Sequence, residues 1–151
     1  MSIQFTFKKV GELLKEGDLR IPSYQRPYKW NRKHIRNLFY DLRDAMGKKE
    51  YQIGSVILHE NDRYLDIVDG QQRLISISLF LHLLDDLGNY KGANQLLSAE
   101  FGEMSCYHAS ENYNEWKNLT QLVGENQAKD ICNFLLQNCS VSVITMPQAR
   151  L

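Results

Sequence analysis

Residues 51–87 read as strand, turn, strand, glycine and helix, and that order leaves few ways to arrange the rest of the chain. Tyr51 to His59 and Tyr64 to Asp69 are rich in β-branched and aromatic residues and are separated by the polar turn Glu60-Asn61-Asp62-Arg63. Gly70 breaks the second strand. In Leu74 to Leu87, Ile75, Ile77, Leu79 and Leu81 alternate as in a strand, while Ile75, Leu79 and Leu83 form a helical row. The run exceeds the usual strand length, and Asp69 and Gln72 have the spacing of a capping box, so a helix is expected. A hairpin feeding an apolar helix calls for an α/β (α+β) fold, a small mixed sheet with surrounding helices and a helical C-terminal part.

The flanks fit around this unit. Phe7 to Glu16 reads as a short helix capped by Thr6 and ended at Gly17, followed by an extended piece from Leu19 to Pro22. Ser23 to Trp30 reads as an ordered loop. Asn31 is a good N-cap for a second helix in which Ile35, Leu38, Phe39, Leu42 and Met46 recur at helical spacing, with Trp30 placed to staple onto Ile35 and Gly47 to end it. Further helices are expected over Asn94 to Phe101, Ser110 to Val123 and Asn126 to Asn138, and a short strand over Val141 to Thr145. The 151 residues suit one compact domain. Within it, residues 1–90 form a motif-bearing core and residues 91–151 a helical extension with a closing strand.

Lysine plus arginine (18) balances aspartate plus glutamate (18), so no global field recruits nucleic acid or membrane. The balance is uneven along the chain. Residues 1–83 carry 14 basic and 10 acidic side chains, and residues 84–151 carry 4 and 8. Six basic residues (Arg20, Arg26, Lys29, Arg32, Lys33, Arg36) and no acid fall between Arg20 and Arg36. No apolar run approaches the roughly 18 to 20 residues of a membrane span, and no signal peptide is read at the N-terminus. Cys106, Cys132 and Cys139 match no zinc spacing, and His34, His59, His82 and His108 are scattered. Reduced thiols in a cytoplasmic protein are the expectation.

Two segments carry chemistry. Asp69-Gly70-Gln71-Gln72-Arg73 lies between a strand and a helix, where the first helical N–H groups lack partners and the dipole adds partial positive charge. A phosphate suits that position. Gly70 lets the backbone approach a ligand, and Arg73 can offer a guanidinium fork. Gln71 and Gln72 can orient a water or bind a base edge, and Asp69 can hold a magnesium ion carried by the phosphates. Asp69 cannot cap the helix and face a metal at once, and a capped turn of this kind also occurs with no ligand. The second segment is Ile21-Pro22-Ser23-Tyr24-Gln25-Arg26-Pro27-Tyr28-Lys29-Trp30, whose aromatics can stack on bases while Arg26 and Lys29 reach phosphates. Trp30 is well explained as the helix staple, whereas Arg26 is harder to explain by packing. Gly54-Ser55 marks either a bulge or a close backbone approach. No P-loop is present, and Glu115-Trp116-Lys117 reads as a solvated helix face.

Taken together, "IPSYQRPYKW", "YQIGSVIL" and "IVDGQQRL" followed by an apolar helix resemble the N-terminal domain of GmrSD-type restriction systems, in the ParB/sulfiredoxin-like superfamily. The resemblance is strong over about residues 5 to 85. It implies a nucleotide-binding, NTP-hydrolysing regulatory module of a modification-dependent restriction system that defends against phage, working with an NTP and Mg2+. By motif match, Gly70, Gln71, Gln72 and Arg73 would bind the nucleotide with Gln25 and Arg26 nearby, and Asp69, Gln72 and Arg73 would act in catalysis, Asp69 also meeting the metal. It further implies that this chain is the front of a longer protein. With no HNH residues here, DNA cleavage would fall to a further region or a separate nuclease domain. The competing expectation is a non-catalytic DNA reader that grips phosphates through Arg26, Lys29, Arg32 and Lys33.

Overall fold

Backbone pairing joins the hairpin to both ends of the chain. A computed structural model describes residues 2–22, 27–99 and 103–148. Its strands are β1 (Gln4–Lys9), β2 (Leu19–Arg20), β3 (Tyr51–Asn61), β4 (Tyr64–Asp69) and β5 (Cys139–Met146). Its α-helices are α1 (Val10–Leu14), α2 (Arg32–Ala45), α3 (Gln71–Leu83), α4 (Lys91–Ser98), α5 (Glu103–Val123) and α6 (Glu125–Gln137). The strands form one mixed sheet in the order β1-β5-β3-β4-β2. β3 and β4 are antiparallel as expected, β5 runs parallel to β3, and β1 closes antiparallel on β5. The expected mixed α/β architecture is therefore observed. The strand at the far end of the sequence is central in the sheet.

Three local expectations are corrected. Residues 7–9 are strand, and the helix expected from Phe7 begins only at Val10; Thr6, expected as its cap, lies within β1. The ladder from Gln4↔Thr145 to Lys9↔Ser140 outweighs the weak helical preference of so short a segment. The hairpin turn is tighter than four residues, because the strands run on to Asn61 and Tyr64 and Asp62 takes a left-handed φ of 56°. The Asp69–Gln72 capping box does not form, since the N-cap of α3 is Gly70 at φ 101° and no side chain caps it.

The ambiguous apolar run is helical, and its surroundings explain the ambiguity. Leu74, Ile75, Ile77, Leu79, Phe80 and Leu81 are all buried, so α3 is covered on every side and no single stripe marks it. The serines between them are buried too, and each hydroxyl donates to a carbonyl one turn back, Ser76 to Gln72 at 2.7 Å and Ser78 to Leu74 at 2.8 Å. On one face of the sheet, Val56, Leu58, Ile67, Val141 and Val143 join this core. α2 follows its sequence signals: the Asn31 side chain accepts from Lys33 N and His34 N, and Ile35, Leu38, Phe39 and Leu42 are buried.

A fully buried carboxylate ties down the short outer strand. Asp66 on β4 receives Arg20 of β2 in a two-point pair, Nε to Oδ1 at 2.7 Å and Nη2 to Oδ2 at 3.1 Å, and Asn61 adds a third bond at 3.0 Å. The guanidinium also lies 4.2 Å from the Tyr64 ring centroid. Hydrogen bonding from Arg20 outweighs the cost of burial and holds the Asp66 carboxyl below its ordinary range. A carboxylate whose pKa is depressed by folding stabilises the fold above its unfolded value, and that contribution disappears as pH falls through the folded value. Wild-type stability should thus fall more steeply than that of Asp66→Asn as the solution is acidified through and below the ordinary carboxylate range, measured as urea midpoints. Parallel acid profiles would show that the pair adds nothing.

Candidate functional site

Gly70 is where β4 turns into α3, and its conformation aims the first turn of the helix outward. A Cβ here would lie 3.0 Å from Val56 Cγ2 and 3.2 Å from the Ser55 carbonyl oxygen. Only glycine takes this φ without strain and fits that contact. With no side-chain cap, the amides of Gln71, Gln72 and Arg73 stand at the positive end of a thirteen-residue helix. They border an open cleft of about 1100 Å³ between this turn, β3 and the segment Pro27 to Trp30.

The motif side chains divide into those that build the cleft and those that face it. Gln71 is buried and its amide donates back to the Ile67 carbonyl at 2.8 Å, fastening α3 to β4. Gln72 accepts at Oε1 from the amides of Lys29 (2.7 Å) and Trp30 (3.1 Å) and donates from Nε2 to the Pro27 carbonyl (3.2 Å). Its side chain therefore holds the aromatic segment against the helix start, with one Nε2 hydrogen left over among the described residues. Asp69 is exposed on the rim and makes no ion pair among the described residues.

Arg73 is the unusual member. Its guanidinium lies over Gly54, so close that a Cβ on Gly54 would sit 2.2 Å from Nη1, and it lies 5.8 Å from the Trp30 ring centroid. Gly54, at φ 147°, borders an irregularity in the β3–β5 register, so the glycine both marks the bulge and makes room for the arginine. Arg73 Nε is buried without a hydrogen-bond partner among the described residues. Burial pushes the Arg73 pKa down, opposed in part by Asp69. A half-buried cation with no bonded anion among the described residues is costly to the fold, which makes the cleft receptive to negative charge.

The far wall is fixed from the C-terminal part of the chain. Tyr28 is buried, its OH within 2.6 Å of Ser76 Oγ, and its amide donates to Ser105 Oγ on α5 at 3.0 Å. Asn112, also on α5, donates from Nδ2 to Tyr28 OH (2.8 Å) and to the Trp30 carbonyl (2.6 Å). Trp30 stacks on His34 at 5.1 Å with the rings 14° apart, and both rings line the cleft. The sequence carried no sign of Ser105 or Asn112, which reach the segment across more than seventy residues. His34 could be suspected from its place one turn beyond Trp30.

The remaining predicted residues do not act as one surface. Gln25 and Arg26 lie outside the described residues. Lys29 and Lys33 are exposed. Arg32 instead pairs with Glu111 (3.3 Å) and Glu115 (3.2 Å), and Arg36 with Glu115 (3.6 Å), while Arg20 is held by Asp66. Part of the basic strip is thus neutralised by carboxylates from the acidic half of the chain. The expectation of a solvated face at Glu115-Trp116-Lys117 is also corrected, since Glu115 and Trp116 are buried, the one by its arginine pairs and the other by the core. Among the described residues no three His, Cys, Asp or Glu side chains are grouped to hold a metal, and no helix is long and apolar enough to cross a membrane.

A strand–Gly–helix turn with no side-chain cap, a half-buried arginine and an aromatic wall set around one cleft characterise this mixed α/β domain. The chain belongs to the family described as GmrSD restriction endonuclease, N-terminal domain, which matches residues 10–147. It is accordingly a module of a restriction system. The match extends well past residue 85 and takes in α4, α5, α6 and β5, the elements that brace the cleft and complete the sheet. A search of curated protein sequences found no match.

Proposed function

We propose that this domain binds a nucleoside triphosphate with Mg2+ and hydrolyses it to regulate restriction of modified DNA. The observation that supports this most is the uncapped start of α3 opening onto the cleft beside the half-buried Arg73, whose Nε has no partner among the described residues. The amides of Gln71 to Arg73 and the guanidinium bear on the charge that grows on the phosphate oxygens during transfer. Asp69 is free of the capping duty that would have competed with a metal. As one carboxylate on the rim, it suits a magnesium ion that keeps several waters and arrives on the phosphates. That ion, when bound, would neutralise phosphate charge. Gln72 positions the Trp30 wall and has one N–H left to orient a water. The nuclease and the sensing of DNA modification belong, in this reading, to other parts of the system.

The DNA-reader alternative has less support, because Arg32 is occupied by Glu111 and Glu115 and only Lys29 and Lys33 remain among the described residues. Titration calorimetry with tripolyphosphate and with each NTP, with and without Mg2+, tests the choice. Saturable Mg2+-dependent binding is expected, with little effect from Lys33→Ala. Steeply salt-dependent DNA binding, with no response to any triphosphate, would favour the reader instead.

Gly54 offers an independent handle. Gly54→Ala should cost about 1–3 kcal/mol of stability from its backbone conformation and also displace the Arg73 guanidinium. Tripolyphosphate affinity should then fall on the order of tenfold in calorimetry, the equivalent of about one charged hydrogen bond. Unchanged affinity would mean that the position of Arg73 over Gly54 is irrelevant to binding.

A further inference from the structure

The phosphate cleft does not end at Trp30. A second cavity of about 260 Å³ shares Trp30, His34 and Arg73 with it and continues between α2 and the start of β3. Its α2 side presents His34, Asn37 and Asp41, which recur at helical spacing on one face, and its β3 side presents Tyr51, Gln52 and Ile53. From His34 to Asp41 the helix advances by about 10 Å, the scale of the distance between the phosphates and the base of an extended nucleotide. The two cavities make one groove of opposite ends. The first has Lys29, Asp69 and the α3 amides, the second has the carboxylate of Asp41, and Arg73 stands between them.

Resting on the nucleotide reading above, we propose that this second cavity is the base subsite and that Asp41 selects guanine there. Asp41 is exposed and has no ion-pair or hydrogen-bond partner among the described residues, so its carboxylate is available. A carboxylate only accepts hydrogen bonds, and its two oxygens match two adjacent donors. Among the common bases only guanine has such a pair, N1–H beside the 2-amino group. Adenine, cytosine and uracil each place an acceptor next to their Watson–Crick donor. The amides of Asn37 and Gln52 supply N–H donors suited to the guanine O6. His34 accepts at Nδ1 from the Asn31 amide at 3.1 Å, which fixes the ring that, with Trp30, separates the base end from the phosphate end.

Calorimetry with GTP, ITP (which lacks the 2-amino group), ATP, UTP and tripolyphosphate, each with Mg2+, tests this on wild type and on Asp41→Asn. GTP should bind more tightly than ITP by on the order of tenfold, the loss expected when one hydrogen bond to a charged partner is removed. Asp41→Asn should erase that difference and leave tripolyphosphate affinity unchanged. Equal affinity for all four nucleotides, or a preference for GTP that survives Asp41→Asn, would overturn the base subsite while leaving phosphate binding intact. Absence of any triphosphate binding, tripolyphosphate included, would overturn the phosphate reading and this one with it.

Discussion

Arg73→Met is expected to lose binding of NTP and of tripolyphosphate by on the order of a hundredfold, while the domain stays at least as stable as wild type. The two halves of that result have one cause. The guanidinium is half-buried beside Gly54 and Trp30, its Nε has no partner among the described residues, and burial depresses its pKa. In the free protein that charge works against the fold. With a phosphate present it gains charge-assisted bonds worth about 1.5–3 kcal/mol each. Methionine keeps most of the aliphatic packing and removes only the charge. Calorimetry and a thermal melt on the same preparation read both quantities. Unchanged affinity would sink the nucleotide reading. A variant that loses several degrees of melting temperature would instead show that the guanidinium is a packing element.

The largest effect on stability is expected at Trp116. Its ring is fully buried and stacks on Phe80 of α3 at 4.2 Å with the planes 7° apart, and it meets Phe39 of α2 edge-on at 6.4 Å. Its indole N–H donates to the Ser76 carbonyl at 2.9 Å. One side chain therefore joins α2, α3 and α5 and caps a carbonyl in the buried core. Trp116→Ala should cost about 3–5 kcal/mol, a large share of the stability of a domain this size. Trp116→Phe keeps an aromatic face but leaves the Ser76 oxygen unpaired, and should cost about 1–3 kcal/mol. Urea unfolding measures both. A loss below about 1 kcal/mol for the alanine variant would mean that the three helices hold together without this contact. Because Ser76 also meets Tyr28 OH, triphosphate binding should weaken along with stability.

Local signals were legible where local chemistry decides the outcome. Asn31 as a cap, the β3–β4 hairpin and the break at Gly70 all follow from a few neighbouring residues, and each is found. The DGQQR turn marked the change from strand to helix for the same reason. Legibility failed where a distant partner overruled the local pattern. Residues 7–9 pair with β5 and are strand, although their own sequence suits the start of a helix. Asp69 and Gln72 have capping-box spacing, but Gln72 is drawn away by the backbone of Pro27, Lys29 and Trp30. Glu115 looked solvated because nothing in its own helix shows that Arg32 and Arg36 reach it from α2.

The sequence by itself determined the mixed α/β class, the order of the central elements and the glycine turn from β4 into α3. Hydrophobic period, glycine and cap spacing act over a few residues and can be read there. Tertiary structure alone decided that β5 enters the sheet beside β3, that Arg73 is half-buried over Gly54, and that the basic strip is divided by the acids of α5. Those outcomes depend on desolvation and on pairs far apart in the chain, quantities that exist only once the core has closed.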